Sequence, residues 1–160
     1  MASELRVDRI IPVNGVPTGG GGGVIQTVYA STDTQVTNTT STYQDTGLTA
    51  TITPTSSTSK IVVLVQQSVG TSGTASSPYA NVKLQRDGSD RLVVYSIAYI
   101  ISSGGDNESN YVYCGFNYLD SPATTSAVTY KTVFNKAGGT TARVQSDESA
   151  STIVLMEVSG

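Results

Sequence analysis

The chain has 160 residues, of which 38% are hydrophobic and only 13% charged, with a formal net charge of -3 and neither His nor Trp. That is one ordinary domain with enough apolar material for a core, and its sparse, slightly acidic charge leaves no electrostatic footprint for DNA or RNA. Without His, and with a single Cys, metal fingers and disulfide frameworks are excluded, and the commonest general base is missing.

Ser and Thr make up about a quarter of the chain, a composition that suits β-rich surfaces and turns better than helices. No stretch approaches the roughly 18 apolar residues of a membrane span, and the N-terminus lacks the basic-then-apolar order of a secretory signal. A soluble, unprocessed product without membrane insertion is expected.

Residues 1–18 differ from all that follows. Leu5, Val7, Ile10, Ile11, Val13 and Val16 are apolar but are interrupted by Arg6, Asp8, Arg9, Pro12 and the Asn14-Gly15 pair, a pattern of extended chain with a tight turn. A lone strand-turn of this size cannot bury its own apolar side chains, so the arm is expected to dock elsewhere. Gly19, Gly20, Gly21, Gly22 and Gly23 follow as a flexible hinge, and residues 24–160 form the body.

In the body, residues 24–29 carry apolar side chains on both faces, and residues 32–42 read as a long loop or an edge strand. Leu48, Ala50 and Ile52 alternate with Thr49, Thr51 and Thr53, which predicts a half-buried strand ended by Pro54. Residues 60–65, with five consecutive apolar side chains from Ile61 to Val65, read as a fully buried central strand, and residues 68–78 as a Gly/Ser/Thr surface loop. The clearest hairpin joins residues 79–86 to 91–101 through Asp87-Gly88.

Three further strands are expected at 111–118, 127–135 and 151–158, with a shorter one at 140–144. Cys114 lies inside the first of these and reads as a small buried core residue. Nine or ten strands with turn signals every 8 to 12 residues, and no convincing helix, predict an all-β antiparallel β-sandwich. A jelly-roll-like head behind an extended N-terminal arm is the first choice; an immunoglobulin-like sandwich is the alternative, weakened by the missing core Trp and paired cysteines.

Tyr118-Leu119-Asp120-Ser121-Pro122, then Val128-Thr129-Tyr130-Lys131, and the closing Ser151-Thr152-Ile153-Val154-Leu155-Met156-Glu157 together resemble a recurrent module of bacteriophage virion proteins. Ser3-Glu4-Leu5-Arg6-Val7-Asp8-Arg9-Ile10, continuing to Gly15-Val16-Pro17 and the glycines, is similar to the N-terminal arms of tail-fibre-like and other appendage proteins of marine phages and cyanophages. The two similarities cover both ends and about half the chain. They imply a trimeric, β-rich appendage on the virion exterior, anchored by its arm. A long fibre shaft is missing between Gly23 and the head, which favours a short spike, knob or capsid decoration protein.

The leading expectation is therefore a non-enzymatic virion structural protein. Leu5, Val7, Ile10, Ile11, Val13 and Val16 would dock on a phage capsid or tail protein, and the head would form a homotrimer. The alternative is a receptor-binding tip for a host surface glycan, with loop tyrosines such as Tyr43 or Tyr79 stacking on sugar rings. A glycan depolymerase would need an acid and a base across the scissile bond. Asp87, Asp90, Asp106, Glu108, Asp120, Asp147 and Glu148 all fall in or beside loops instead, so no catalytic residue, metal or cofactor is expected.

Overall fold

A computed structural model of the chain describes residues 23–73, 77–99 and 108–160. Among them are ten strands: β1 (Val24–Thr32), β2 (Val36–Asn38), β3 (Gln44–Ile52), β4 (Lys60–Gly73), β5 (Tyr79–Arg86), β6 (Ser89–Ile97), β7 (Glu108–Asp120), β8 (Val128–Gly138), β9 (Thr141–Val144) and β10 (Ser151–Val158). A 3-10 turn, Ser146–Glu148, separates the last two. Every strand pair is antiparallel, and the fold is an all-β sandwich of two sheets.

Strand β4 is the spine of the first sheet. One edge pairs with β10 from Lys60 to Gln66 and then with β9 from Val69 to Ser72, while the other pairs with β7 from Ile61 to Gly73. Beyond β10 lies β1, and beyond β9 lies β2, so two neighbouring lanes are interrupted at the same level. Counting each interrupted pair as one lane leaves eight lanes, ordered 1-8-3-6 in this sheet and 2-7-4-5 in the other, which is β3-β8-β5-β6.

Side-chain alternation along the strands fills the space between the sheets. Leu48, Ile52, Ile61, Val63, Leu84, Tyr130, Ile153 and Leu155 belong to one buried cluster, and Val69, Val82, Phe134, Ala142 and Val144 to a second. A buried polar network lies in the same interior: the Thr132 hydroxyl donates to Gln67 Oε1 at 2.8 Å and lies 2.6 Å from the Thr46 hydroxyl, and Gln67 Nε2 donates to Ser151 Oγ at 2.8 Å. Gln145 completes it, accepting from Gln67 and Ser151 at 2.7 and 2.8 Å and donating to the Thr46 and Thr34 carbonyls at 3.2 and 3.3 Å.

Two clasps tie the sheets at one end. Asp120 Oδ2 accepts from Arg86 at 2.6 Å and from the buried Tyr130 hydroxyl at 2.7 Å, and burial followed by the Asp120 contact pushes the Tyr130 phenol well above its ordinary range. Glu157, fully buried, accepts from Gln26 at 2.6 Å and from the Thr55 amide and hydroxyl at 2.7 Å each. Burial alone would raise the Glu157 pKa, but the donors of Gln26, Ser59 and Thr55 outweigh it and hold it at about 2.

Several expectations need correction. Of the surface loop expected at 68–78, residues 68–73 are instead the second half of β4, and Gly70 and Gly73 make no turn there. Their polar side chains hid a strand that is paired on both edges, with Gln67 and Thr71 buried and hydrogen-bonded. The run from Ile61 to Val65 is central in its sheet but not buried on both sides, because Leu64 is 39% exposed. Residues 32–42 contribute the edge strand β2, and Cys114 is half-buried against the second cluster. The Asp87-Gly88 hairpin stands as expected, with φ of 49° and 80° at the two central residues, the signature of a type I′ turn.

Candidate functional site

The outer face of the first sheet follows from its register, because residues paired across antiparallel strands share a face. Tyr29, Val154, Leu64 and Asn117 form one row across β1, β10, β4 and β7, and Thr27, Met156, Val62 and Leu119 form the next. Tyr29, Leu64 and Leu119 are exposed there, and Val62, Val154 and Met156 are half-buried. Neither row contains a charged residue.

Further along the same face the surface sinks into a groove of roughly 330 Å³ lined by Ser68, Tyr111, Val112, Tyr113, Ser146, Asp147 and Ser149. Its floor is β4, where Ser68 and Gly70 offer almost no side-chain bulk. Tyr113 stands opposite Ser68 and Tyr111 opposite Gly70, and a Cβ on residue 70 would run into the Tyr111 ring. The missing side chain therefore lets the ring lie across the strand. Tyr111 and Tyr113 remain 51% and 54% exposed.

The opposite wall is the 3-10 turn. Ser149 donates its hydroxyl to the Ser146 carbonyl at 2.6 Å, so the 2.6 Å contact between the Ser149 and Ser68 hydroxyls has Ser68 as donor. Three non-glycine residues sit here in the left-handed region: Gln145 at φ 52°, Asp147 at φ 53° and Glu148 at φ 59°. Such residues cost about 1–3 kcal/mol each and persist only where their surroundings over-determine them. The buried Gln145 amide, held on four sides between the sheets, is that constraint.

Asp147 and Glu148 project from the turn as exposed carboxylates outside every ion pair seen among the described residues. Ser146 has a buried hydroxyl with no hydrogen-bond partner among those residues. A second, smaller hollow of about 200 Å³ lies at the β3 bulge beside the Asp45–Lys131 ion pair, whose 2.7 Å contact already occupies its charges.

Three further carboxylates have structural partners. Asp90 pairs with Lys83 at 2.6 Å, Asp120 with Arg86, and Asp87 accepts from the Thr129 amide at 2.9 Å. No group of three or more His, Cys, Asp and Glu residues comes together as a metal site among the described residues. Tyr43 lies under Lys83, 4.1 Å from its ring centroid, and Tyr79 packs against Tyr99 at 5.9 Å, so both tyrosines read as sugar platforms have protein neighbours.

The arm residues Leu5, Val7, Ile10, Ile11, Val13 and Val16, the hinge glycines Gly19 to Gly22, Asp106 and the side chain of Glu108 lie outside the described residues. Gly23 is described, as exposed chain leading into β1. Tyr111 and Tyr113 were visible in the sequence only as strand residues, and their shared face was implied by the alternation.

No family model and no curated protein matches the chain. Among solved structures it is similar to the infectious bursal disease virus VP2 subviral particle, at 13% identity over 86% of this chain and 34% of that one, with a TM-score of 0.34. It is also similar to dimeric latent PorU from Porphyromonas gingivalis, at 11% identity over 89% of this chain and 14% of that one, with a TM-score of 0.36. The chain spans about a third or less of either, and likenesses this distant decide neither fold nor function.

Proposed function

We propose that this chain is a non-enzymatic structural protein of a phage virion, whose N-terminal arm docks on a capsid or tail protein while the head projects outward as a homotrimer. One observation carries the reading: two adjacent rows across the outer face of the first sheet, from β1 to β7, hold no charged residue and expose Tyr29, Leu64 and Leu119, a patch of the kind that marks a contact surface. The eight-lane order supports a jelly roll, an architecture that recurs in viral capsid and lectin domains. Resemblance of both chain ends to phage appendage proteins points the same way. Most carboxylates among the described residues are spent on structural pairs or stand apart on one turn, which favours a part without chemistry of its own.

Assembly of particles with a chain lacking residues 1–18 tests the docking half of the proposal. The shortened head is expected to fold, with the β-sheet circular dichroism of the parent, yet to be missing from purified particles. Normal incorporation would remove the anchoring role from the arm.

A further inference from the structure

The geometry points to the groove between Tyr111, Tyr113 and the 3-10 turn as a binding site for a neutral pyranose sugar. This rests on the groove alone and is independent of the virion assignment.

A saccharide site needs an aromatic face for the C–H side of the ring and fixed polar groups for its hydroxyls. The groove has both on opposing walls. Tyr111 is braced from beneath by the Gly70 backbone, so the remaining ring face is presented to solvent in a defined orientation. Across the floor from the tyrosines stand the exposed Asp147 carboxylate and the Ser149 hydroxyl, with the Ser68 hydroxyl on the floor between them. The volume of roughly 330 Å³ suits one or two hexose rings.

Preorganisation strengthens the case. The Ser68–Ser149–Ser146 chain and the Gln145 amide hold the turn, so a ligand would pay little to order this wall. The choice of a neutral sugar follows from charge. Asp147 and Glu148 are exposed on the turn, two negative charges against the one positive charge of Arg143, which shares the outer row of Gly70 and Tyr111 and has a guanidinium nitrogen 3.3 Å from Ser72 Oγ. Sialic acids, uronic acids and phosphorylated ligands would face carboxylates, whereas uncharged hydroxyls would find acceptors. The tyrosines named from the sequence as sugar platforms, Tyr43 and Tyr79, lie elsewhere.

The purified full chain would be applied to an array of printed neutral, sialylated and uronic-acid oligosaccharides, and the best-bound neutral disaccharide then titrated calorimetrically. Binding of a neutral sugar is expected, weakened at least about tenfold by Tyr111→Ala and by Asp147→Gly, and unchanged by Tyr95→Ala on the other sheet. Asp147→Gly removes the carboxylate while suiting the positive φ, so it carries the test should Tyr111→Ala fail to fold. Absence of neutral-sugar binding, preference for acidic glycans, or unaltered affinity in Asp147→Gly would each overturn the site. A defect in trimer formation or particle incorporation leaves these readings untouched.

Discussion

Glu157 shows how a single buried carboxylate can make this fold acid-sensitive. Its donors join β1 through Gln26, the chain after β3 through Thr55, and its own strand β10, and Gln26 also donates to the Thr53 carbonyl at 2.7 Å. Because the folded-state pKa is depressed to about 2 from an ordinary 4.5, the stabilisation is fully present above 4.5 and is lost as pH falls towards 2. Glu157→Gln places an amide among groups that are all donors, and is expected to cost about 1–3 kcal/mol at neutral pH. Thermal melts of parent and variant should differ most at pH 7 and converge between pH 4.5 and 2. A gap that stays constant over that range would mean that shape, not charge, holds this corner.

At the scale of elements, the β5–β6 hairpin isolates backbone strain from packing. Gly88 has φ 80° with no atom within 4 Å of an added Cβ, so Gly88→Ala meets only the left-handed penalty. It should destabilise by about 1–2 kcal/mol in denaturant melts without altering the slope. A larger loss would reveal strain spreading into β8, to which Asp87 is tied by its amide donating to the Thr129 carbonyl at 2.9 Å. Asp-Gly is also why this hairpin was legible from residue types, as the second half of β3 was from the alternation of Leu48, Ala50 and Ile52 with threonines. The second half of β4 was not, since Gln66, Gln67, Ser68, Thr71 and Ser72 have no apolar period and become strand only because partners on both edges satisfy them. Nor did residues 145–149 announce a turn: Gln, Asp and Glu hold positive φ without a glycine to mark it, and only the tertiary contacts of Gln145 explain why.

For the molecule as a whole, the outer face of the first sheet separates a solitary head from an assembling one. Its apolar half, around Leu64 and Leu119, and its grooved half, around Tyr111 and Asp147, lie at successive levels of β4 and β7, so one face has room for both self-association and ligand capture. Leu64→Lys with Leu119→Lys places two charges on exposed positions and removes little from the core, since both side chains point away from it. If copies of the head pack through this half, sedimentation of the parent should give a trimer and the double variant a monomer, with melting shifted no further than the loss of association requires. The same variant should retain any sugar affinity of the groove, whose lining it leaves intact. A parent that sediments as a monomer at all concentrations would remove self-association through this half, and pull-down of another protein by the parent but not by the lysine variant would then identify the surface as its seat.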